Sequence, residues 1–189
     1  MAFTALLDAC VLYPAALRDL LVSLAVAQLY RARWTERIHD EWTRSLLRDR
    51  PDLTPQQVAR PRAHMNTAVL DATVTGYEPV AAQFMGLPDD GDAHVIAAAV
   101  VGRADVIVTF NQKDFPPSVL EPFGIDVLHP DAFVRHTLDL DALRSLRVVR
   151  ECRQRMKRPP VSVDEYIGRL SRLQLPLSSR WLEHYADQI

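Results

Sequence analysis

Phe3 to Leu7 is a short, largely apolar run that stops at Asp8. Such a run predicts a strand buried on both faces, as in a parallel sheet. A second run, Asp105-Val-Ile-Val-Thr109, is compact and β-branched and predicts another strand. Ile125 to Leu128 reads as a third. Between these runs the apolar period changes from two to about 3.6. Leu17, Leu20, Leu21, Leu24 and Leu29 follow helical spacing, and so do Ile38, Trp42 and Leu46 behind Thr35, a residue suited to cap a helix start. Thr54 followed by Pro55 and Gln57 carries the signs of a capping box, and its helix is expected to run to about Leu70. A turn-rich segment, Leu87 to Asp92, leads into a helix from Ala93 to about Gly102. A loop from Asn111 to Pro117 follows the second strand, and a helix over Ala132–Leu138 follows the third. Strands alternating with helices predict an α/β fold with a mainly parallel sheet.

The pattern changes near residue 139, beyond which no strand signal appears. Residues 141–158 read as one helix stopped by Pro159-Pro160. Ser162 is placed to cap a helix over Val163–Leu173, Pro176 interrupts it, and Ser178–Ala186 reads as a last short helix. The division expected is a first domain over 1–138 and a helical extension over 139–189.

Composition narrows the classes. The chain has 189 residues, 48% of them apolar, which suits a globular protein with a real core. No apolar run approaches the ~18–20 residues of a membrane span, and the start of the chain lacks the basic region of a signal peptide. The two cysteines, Cys10 and Cys152, give neither a disulfide framework nor zinc spacing. A reducing, cytoplasmic setting is expected. With six glycines there is no phosphate-binding glycine loop. The net charge of −2 does not announce nucleic-acid binding.

Four acids stand out. Chemistry in a parallel α/β sheet gathers at the carboxyl ends of the strands. Asp8 follows the first strand directly, and Asp114 lies five residues beyond Thr109. Asp92 opens the helix before the second strand, a position where a carboxylate also serves as an ordinary cap. Glu41 falls about 60° from Ile38 on the helical wheel, at the edge of the apolar stripe. Crowded carboxylates repel one another unless a divalent cation removes the penalty. Mg²⁺ and Mn²⁺ take such oxygen ligands and can activate water for phosphodiester cleavage. Asn111 offers a neutral oxygen. Around these, Asp89 and Asp90 suit the turn, with either able to support the site. His94 reads as a helix-surface or packing residue, His39 and Asp40 point away from the stripe edge, Trp34 and Trp42 read as core, and Cys10 reads as a small core residue.

The order strand–Asp8, helical Glu41, Asp92-Ala-His-Val-Ile-Ala-Ala-Ala, and Thr109-Phe-Asn111-Gln-Lys-Asp114-Phe-Pro resembles the PIN-domain family, and within it the VapC-like toxin ribonucleases. The resemblance covers roughly residues 3–135. It implies a Rossmann-like three-layer α/β/α sandwich. It also implies Mg²⁺- or Mn²⁺-dependent hydrolysis of single-stranded RNA by an activated water, leaving a 5′-phosphate. Carried over, Asp8, Glu41 and Asp92 match the three central acidic positions, and Asp114 matches the variable fourth, a role that in some members falls nearer Asn111. Thr109 and Asp90 then stand as supporting residues. Toxin members form homodimers and are silenced by a cognate antitoxin that inserts a segment near the acidic groove. Some fifty residues follow the part that resembles the smallest members.

Those extra residues carry Arg144, Arg147, Arg150, Arg153, Arg155, Lys157 and Arg158 against Glu151 alone. All but Arg153 fall on one side of a helical wheel, opposite Leu146, Val148, Val149, Cys152 and Met156. The stripe is an ordinary solvated face, a track for RNA phosphates, or a dock for an acidic antitoxin segment. The sites expected for RNA or antitoxin are Arg144, Arg147, Arg150 and Arg158. A phosphatase of the haloacid dehalogenase type wants a second acid where Cys10 stands, and a receiver domain wants more acids around the early strands. The alternative from another class is a PIN-fold module that binds without cutting.

Overall fold

The computed structural model describes residues 3–84 and 90–189. Asp89 and the side chain of Asp90 lie outside the described set. The first strand, β1 (Thr4–Leu7), is buried at all four residues. Successive side chains of a strand point to opposite faces, so β1 is covered on both. The cap at Asp8 ends it and opens a four-residue helix, α1 (Ala9–Leu12), which is followed by α2 (Ala15–Val26). The chain then forms β2 (Arg31–Arg33), α3 (Glu36–Asp49), α4 (Pro55–Ala68) and α5 (Glu78–Ala81). Next come α6 (Ala93–Val101), β3 (Val106–Val108), α7 (Pro117–Leu120) and β4 (Asp126–Leu128). Four helices finish the chain: α8 (Pro130–Leu140), α9 (Ala142–Arg155), α10 (Val163–Arg172) and α11 (Pro176–Glu183).

The sheet is fully parallel in the order β2-β1-β3-β4. The expected mainly parallel α/β fold is therefore what forms. From β1 the chain goes out to β2 on one side and comes back to β3 on the other. The order reverses between β1 and β3, and their carboxyl ends leave a crevice where ligands bind in open α/β sheets.

The helix starts follow their caps. Thr35 accepts from the Ile38 N–H at 3.0 Å. Thr54 and Gln57 make the reciprocal box, with the Thr54 N–H donating to Gln57 Oε1 at 2.8 Å. Ser162 accepts from the Glu165 N–H. β2 was not expected from the sequence. Of its three residues only Ala32 is buried, because an edge strand offers little apolar pattern to read.

The last four helices are not a loose appendage. α8 packs on α9 and α11, α10 packs on α11, and α9 lies across α2. Phe133 of α8 meets Tyr30 edge-on at 4.9 Å and Phe3 at 5.6 Å, joining this region to the start of the sheet. Burial of Leu146, Val148, Val149 and Cys152 confirms the apolar face of α9. The helix is shorter than the 141–158 expected. Met156 leaves helical geometry at ψ 87°, and the residue before Pro159 is disfavoured in a helix as well. Lys157 and Arg158 therefore lie beyond the helix. Among the described residues no helix is long and apolar enough to cross a membrane.

Candidate active site

At the crevice between β1 and β3, Asp8, Glu41, Asp92 and Asn111 line one cavity of about 430 Å³. Cys10, Tyr13, Trp42, Ser45, Arg48 and Asp49 complete the polar part of its wall. Four carboxylates thus stand against a single arginine.

Asp8 is fixed from several directions. Its N–H extends the β1–β3 ladder by donating to the Val108 carbonyl at 3.2 Å. One carboxylate oxygen accepts the Ala9 N–H at 2.6 Å, capping α1, and the other accepts the Thr109 hydroxyl at 2.7 Å. Thr109 is fully buried, and its hydroxyl oxygen accepts the Asn111 N–H at 3.0 Å. One threonine therefore sets both Asp8 and the loop that carries Asn111.

Cys10 packs against the core, as expected, and also belongs to this site. Its side chain is half-buried, and Sγ lies 3.1 Å from Asp8 Oδ2 with the Phe110 N–H donating to it at 3.3 Å. Burial, and then the Asp8 charge, push its thiol up to about 12. It stays protonated and donates to Asp8. The sequence signal was present: a residue two after an end-of-strand acid, on a helix too short to turn it away.

Glu41 comes from α3. Its Oε1 accepts from His94 Nε2 at 2.9 Å and from Arg37 Nε at 3.2 Å. Burial works to raise its carboxyl, but the His94 hydrogen bond, helped by Arg37, outweighs burial and holds it below the ordinary glutamate value. His94 is buried in α6, two residues after Asp92, the N-cap of that helix. Seven of the nine residues of α6 are buried. A helix apolar on all sides has no surface for a histidine, and that was the signal for a buried one.

The floor is built by Trp42, which is buried as expected. Its Nε1 donates to His39 Nδ1 at 3.0 Å, and His39 Nε2 donates to Asn66 Oδ1 at 3.1 Å. His39 is therefore a core residue and does not point away from the apolar side, because α4 covers it. Asp40 is exposed and paired with Arg62. The Arg18 guanidinium lies 4.5 Å over the Trp42 ring and donates to the Leu12 carbonyl at 2.6 Å and the Tyr13 carbonyl at 3.2 Å. Burial lowers its pKa to about 10, so it remains a cation. It joins the end of α1, which carries Cys10, to the helix that carries Glu41. At the rim, Arg48 and the Tyr13 hydroxyl bind Asp49 and hold its carboxyl below the usual value.

Asp114 stands apart. It lies on the short turn Gln112–Asp114, partly buried, and is not among the residues lining the cavity, whereas Asn111 is. Among the described residues no three His, Cys, Asp or Glu side chains stand close enough as placed to hold a metal ion.

The basic residues divide between two surfaces. Arg144, Arg147 and Arg155 line a groove of about 710 Å³ between α2, α4 and α9. Arg158 lines a separate cleft with Arg155, Lys157 and Arg169. Arg155 is bound to Asp19 and Ser23, and Arg144 to Asp141. Arg153, set apart on the helical wheel, instead donates to the Val161 and Ile189 carbonyls. Arg147 and Arg150 are exposed, with no ion-pair partner among the described residues.

Comparison with known proteins agrees with this geometry. The family described as "PIN domain" matches residues 4–113, more than half of the chain. The one described as "VapC50 C-terminal domain" matches residues 130–183. Over 49 residues the chain is 57% identical to "Putative ribonuclease VapC50" of Mycobacterium tuberculosis (strain ATCC 25618 / H37Rv), a stretch that makes up 26% of this chain and 29% of that protein. The match thus spans less than a third of the relative's length. No solved structure matches. On the parallel sheet, the acids at its switch point and the match across most of the sheet-bearing region, the chain belongs to the PIN domain family.

Proposed function

We propose that the protein is a Mg²⁺- or Mn²⁺-dependent endoribonuclease that cleaves single-stranded RNA, and that it is the toxin of a type II toxin–antitoxin pair. One observation carries the nuclease reading: Asp8, Glu41 and Asp92, far apart in sequence, line one cavity with Asn111 at the switch point of the sheet. In kind of atom the donor set suits a hard divalent cation, which would have to draw together carboxylates that, among the described residues, stand too far apart to share it. The set consists of carboxylate oxygens and one amide oxygen, and it carries more negative charge than its single arginine balances. Asp8, Glu41 and Asp92 would hold the ion, with Asn111 as a neutral ligand or as the residue that orients the attacking water; Asp114 is a less direct candidate from the neighbouring turn. Such an ion, when bound, lowers the pKa of water and offsets charge on the scissile phosphate.

The chain's own part is positioning. Thr109 and Cys10 keep the Asp8 carboxylate turned toward the cavity, His94 and Arg37 hold Glu41, and Trp42 closes the floor. Arg144, Arg147, Arg150 and Arg158 supply cationic surface for RNA phosphates. The toxin role, the homodimer and the antitoxin rest on the resemblance to VapC-like proteins and on the name of the relative in M. tuberculosis.

The test incubates wild type, Asp8→Asn and Asp92→Asn with mixed RNA in Mn²⁺, Mg²⁺ or EDTA. Cleavage should vanish with chelator and fall by more than about 100-fold in each variant, since even the partners that orient metal ligands are worth 10–100-fold. Cleavage that survives chelation would refute the metal mechanism. A folded wild type that binds RNA without cutting it would establish the binding-module alternative.

A further inference from the structure

We infer that His94 is the positioning residue that sets the Glu41 carboxylate for its ligand, acting through Glu41 and not on the substrate. The inference rests on the metal-dependent reading of the cavity.

His94 is the second residue of α6, only 2% exposed, and its Nε2 lies 2.9 Å from Glu41 Oε1. Its other ring nitrogen, Nδ1, is buried and has no hydrogen-bond partner among the described residues. Among the described residues the ring therefore makes one polar contact, in a buried place. A buried donor or acceptor is costly to leave unmade, so a histidine kept there with a single bond is defined by that bond. The contact requires a proton on Nε2 pointing at the carboxylate, because a bare Nε2 would set a lone pair against Oε1.

The geometry on Glu41 is selective. Both of its bonds, from His94 and Arg37, fall on Oε1, and Oε2 takes none among the described residues. One oxygen is held while the other has no hydrogen-bond partner among the described residues, and Glu41 itself lines the cavity. This is how a carboxylate ligand is oriented by outer hydrogen bonds. The two donors are unequal. The Arg37 side chain is 52% exposed and reaches Glu41 along one face of α3 as an i,i+4 pair, which water and salt weaken. His94 comes from another helix and is sealed. Asp92 stands at the N-cap position of that helix, so the His94 bond also fixes the α3 acid relative to the acid that opens α6.

The experiment compares full-length wild type with His94→Phe, His94→Gln and Arg37→Ala. Mn²⁺ affinity is read by electron paramagnetic resonance, beside RNA cleavage and melting temperature. His94→Phe fills the space without a donor and should weaken Mn²⁺ binding about 10–100-fold. His94→Gln, which keeps an N–H donor, should recover most of that loss, and Arg37→Ala should change affinity less than about threefold. A folded His94→Phe protein with wild-type Mn²⁺ affinity, or no rescue by glutamine, would overturn the inference. A second readout is independent of metal. In metal-free protein, ¹⁵N resonances of the imidazole should show the proton on Nε2, and Glu41→Gln should shift them. An Nε2 without a proton, or resonances indifferent to Glu41→Gln, would overturn the His94 assignment. Wild type that binds no Mn²⁺ while showing the predicted resonances would instead overturn the metal reading and its ligand role for Glu41.

Discussion

Two aspartates, one directly after β1 and one in the first turn of α8, are buried almost equally. Asp8 is 7% exposed and Asp131 is 4% exposed. Each accepts backbone N–H groups at a helix start and one hydroxyl. Asp8 takes the Ala9 N–H and the Thr109 hydroxyl; Asp131 takes the Leu177 and Ser178 N–H groups at 2.8 and 2.9 Å and the Ser178 hydroxyl at 2.8 Å. Asp131 supplies from α8 the cap that α11 does not supply for itself. The difference lies in company. Asp131 is closed in by the helix it caps. Asp8 faces a cavity with three other carboxylates and a thiol that leans on it. Burial and hydrogen bonds alone therefore do not mark an active acid; unbalanced charge beside open space does.

The largest effect expected from this difference concerns Cys10. A thiol pushed up to about 12 holds roughly 2000-fold less thiolate at pH 8 than an ordinary cysteine near 8.5, and since the more basic thiolate is the better nucleophile, iodoacetamide should alkylate it on the order of 100-fold more slowly than a free thiol. Asp8→Asn removes one cause and should raise that rate. Mass spectrometry of the labelled peptide reads both, and equal rates in the two proteins would break the link between Asp8 and Cys10. Next comes Asp131→Ala. It should cost about 2 kcal/mol in denaturant unfolding, as the loss of a buried cap does, while RNA cleavage per folded molecule stays unchanged. Loss of cleavage without loss of stability would put Asp131 in the same class as Asp8. The smallest effect is Thr54→Ala. This cap sits at the surface, so about 1 kcal/mol of stability should go and nothing else. A cost as large as that at Asp131 would show that capping, not burial, sets the scale.

The sequence showed most clearly what packing on both faces imposes. β1 and β3 are unbroken apolar runs because helices cover both sides, and the caps at Thr35, Thr54 and Ser162 are written locally. β2 was not legible, since Arg31–Arg33 becomes a strand only by pairing with β1. In the site, Glu41 was visible from its angle to Ile38, and the position of Asp8 from the end of its strand. Cys10 and His94 left only a local hint, a place two residues after Asp8 and a place in an all-apolar helix, and Arg18 and Asp49 left none. Each owes its place to a contact across elements: Cys10 with Thr109 and Phe110, His94 with Glu41, Arg18 with Trp42, Asp49 with Tyr13. The fourth acidic position shows the same limit, because spacing alone did not decide whether the turn brings Asn111 or Asp114 to the cavity.

The strand order has a consequence for the newly made chain. β1 lies between β2 and β3, so the wall holding Asp8 is unfinished until a segment about a hundred residues later has been synthesised and inserted beside it. Contacts this distant close slowly, because chain entropy is lost before they form. While the ribosome is still producing the first half of the protein, Asp8 and Glu41 exist without Asp92, Thr109 or Asn111. Until β3 and the loop after it have been made and inserted, the growing polypeptide thus lacks one wall of the acidic cavity.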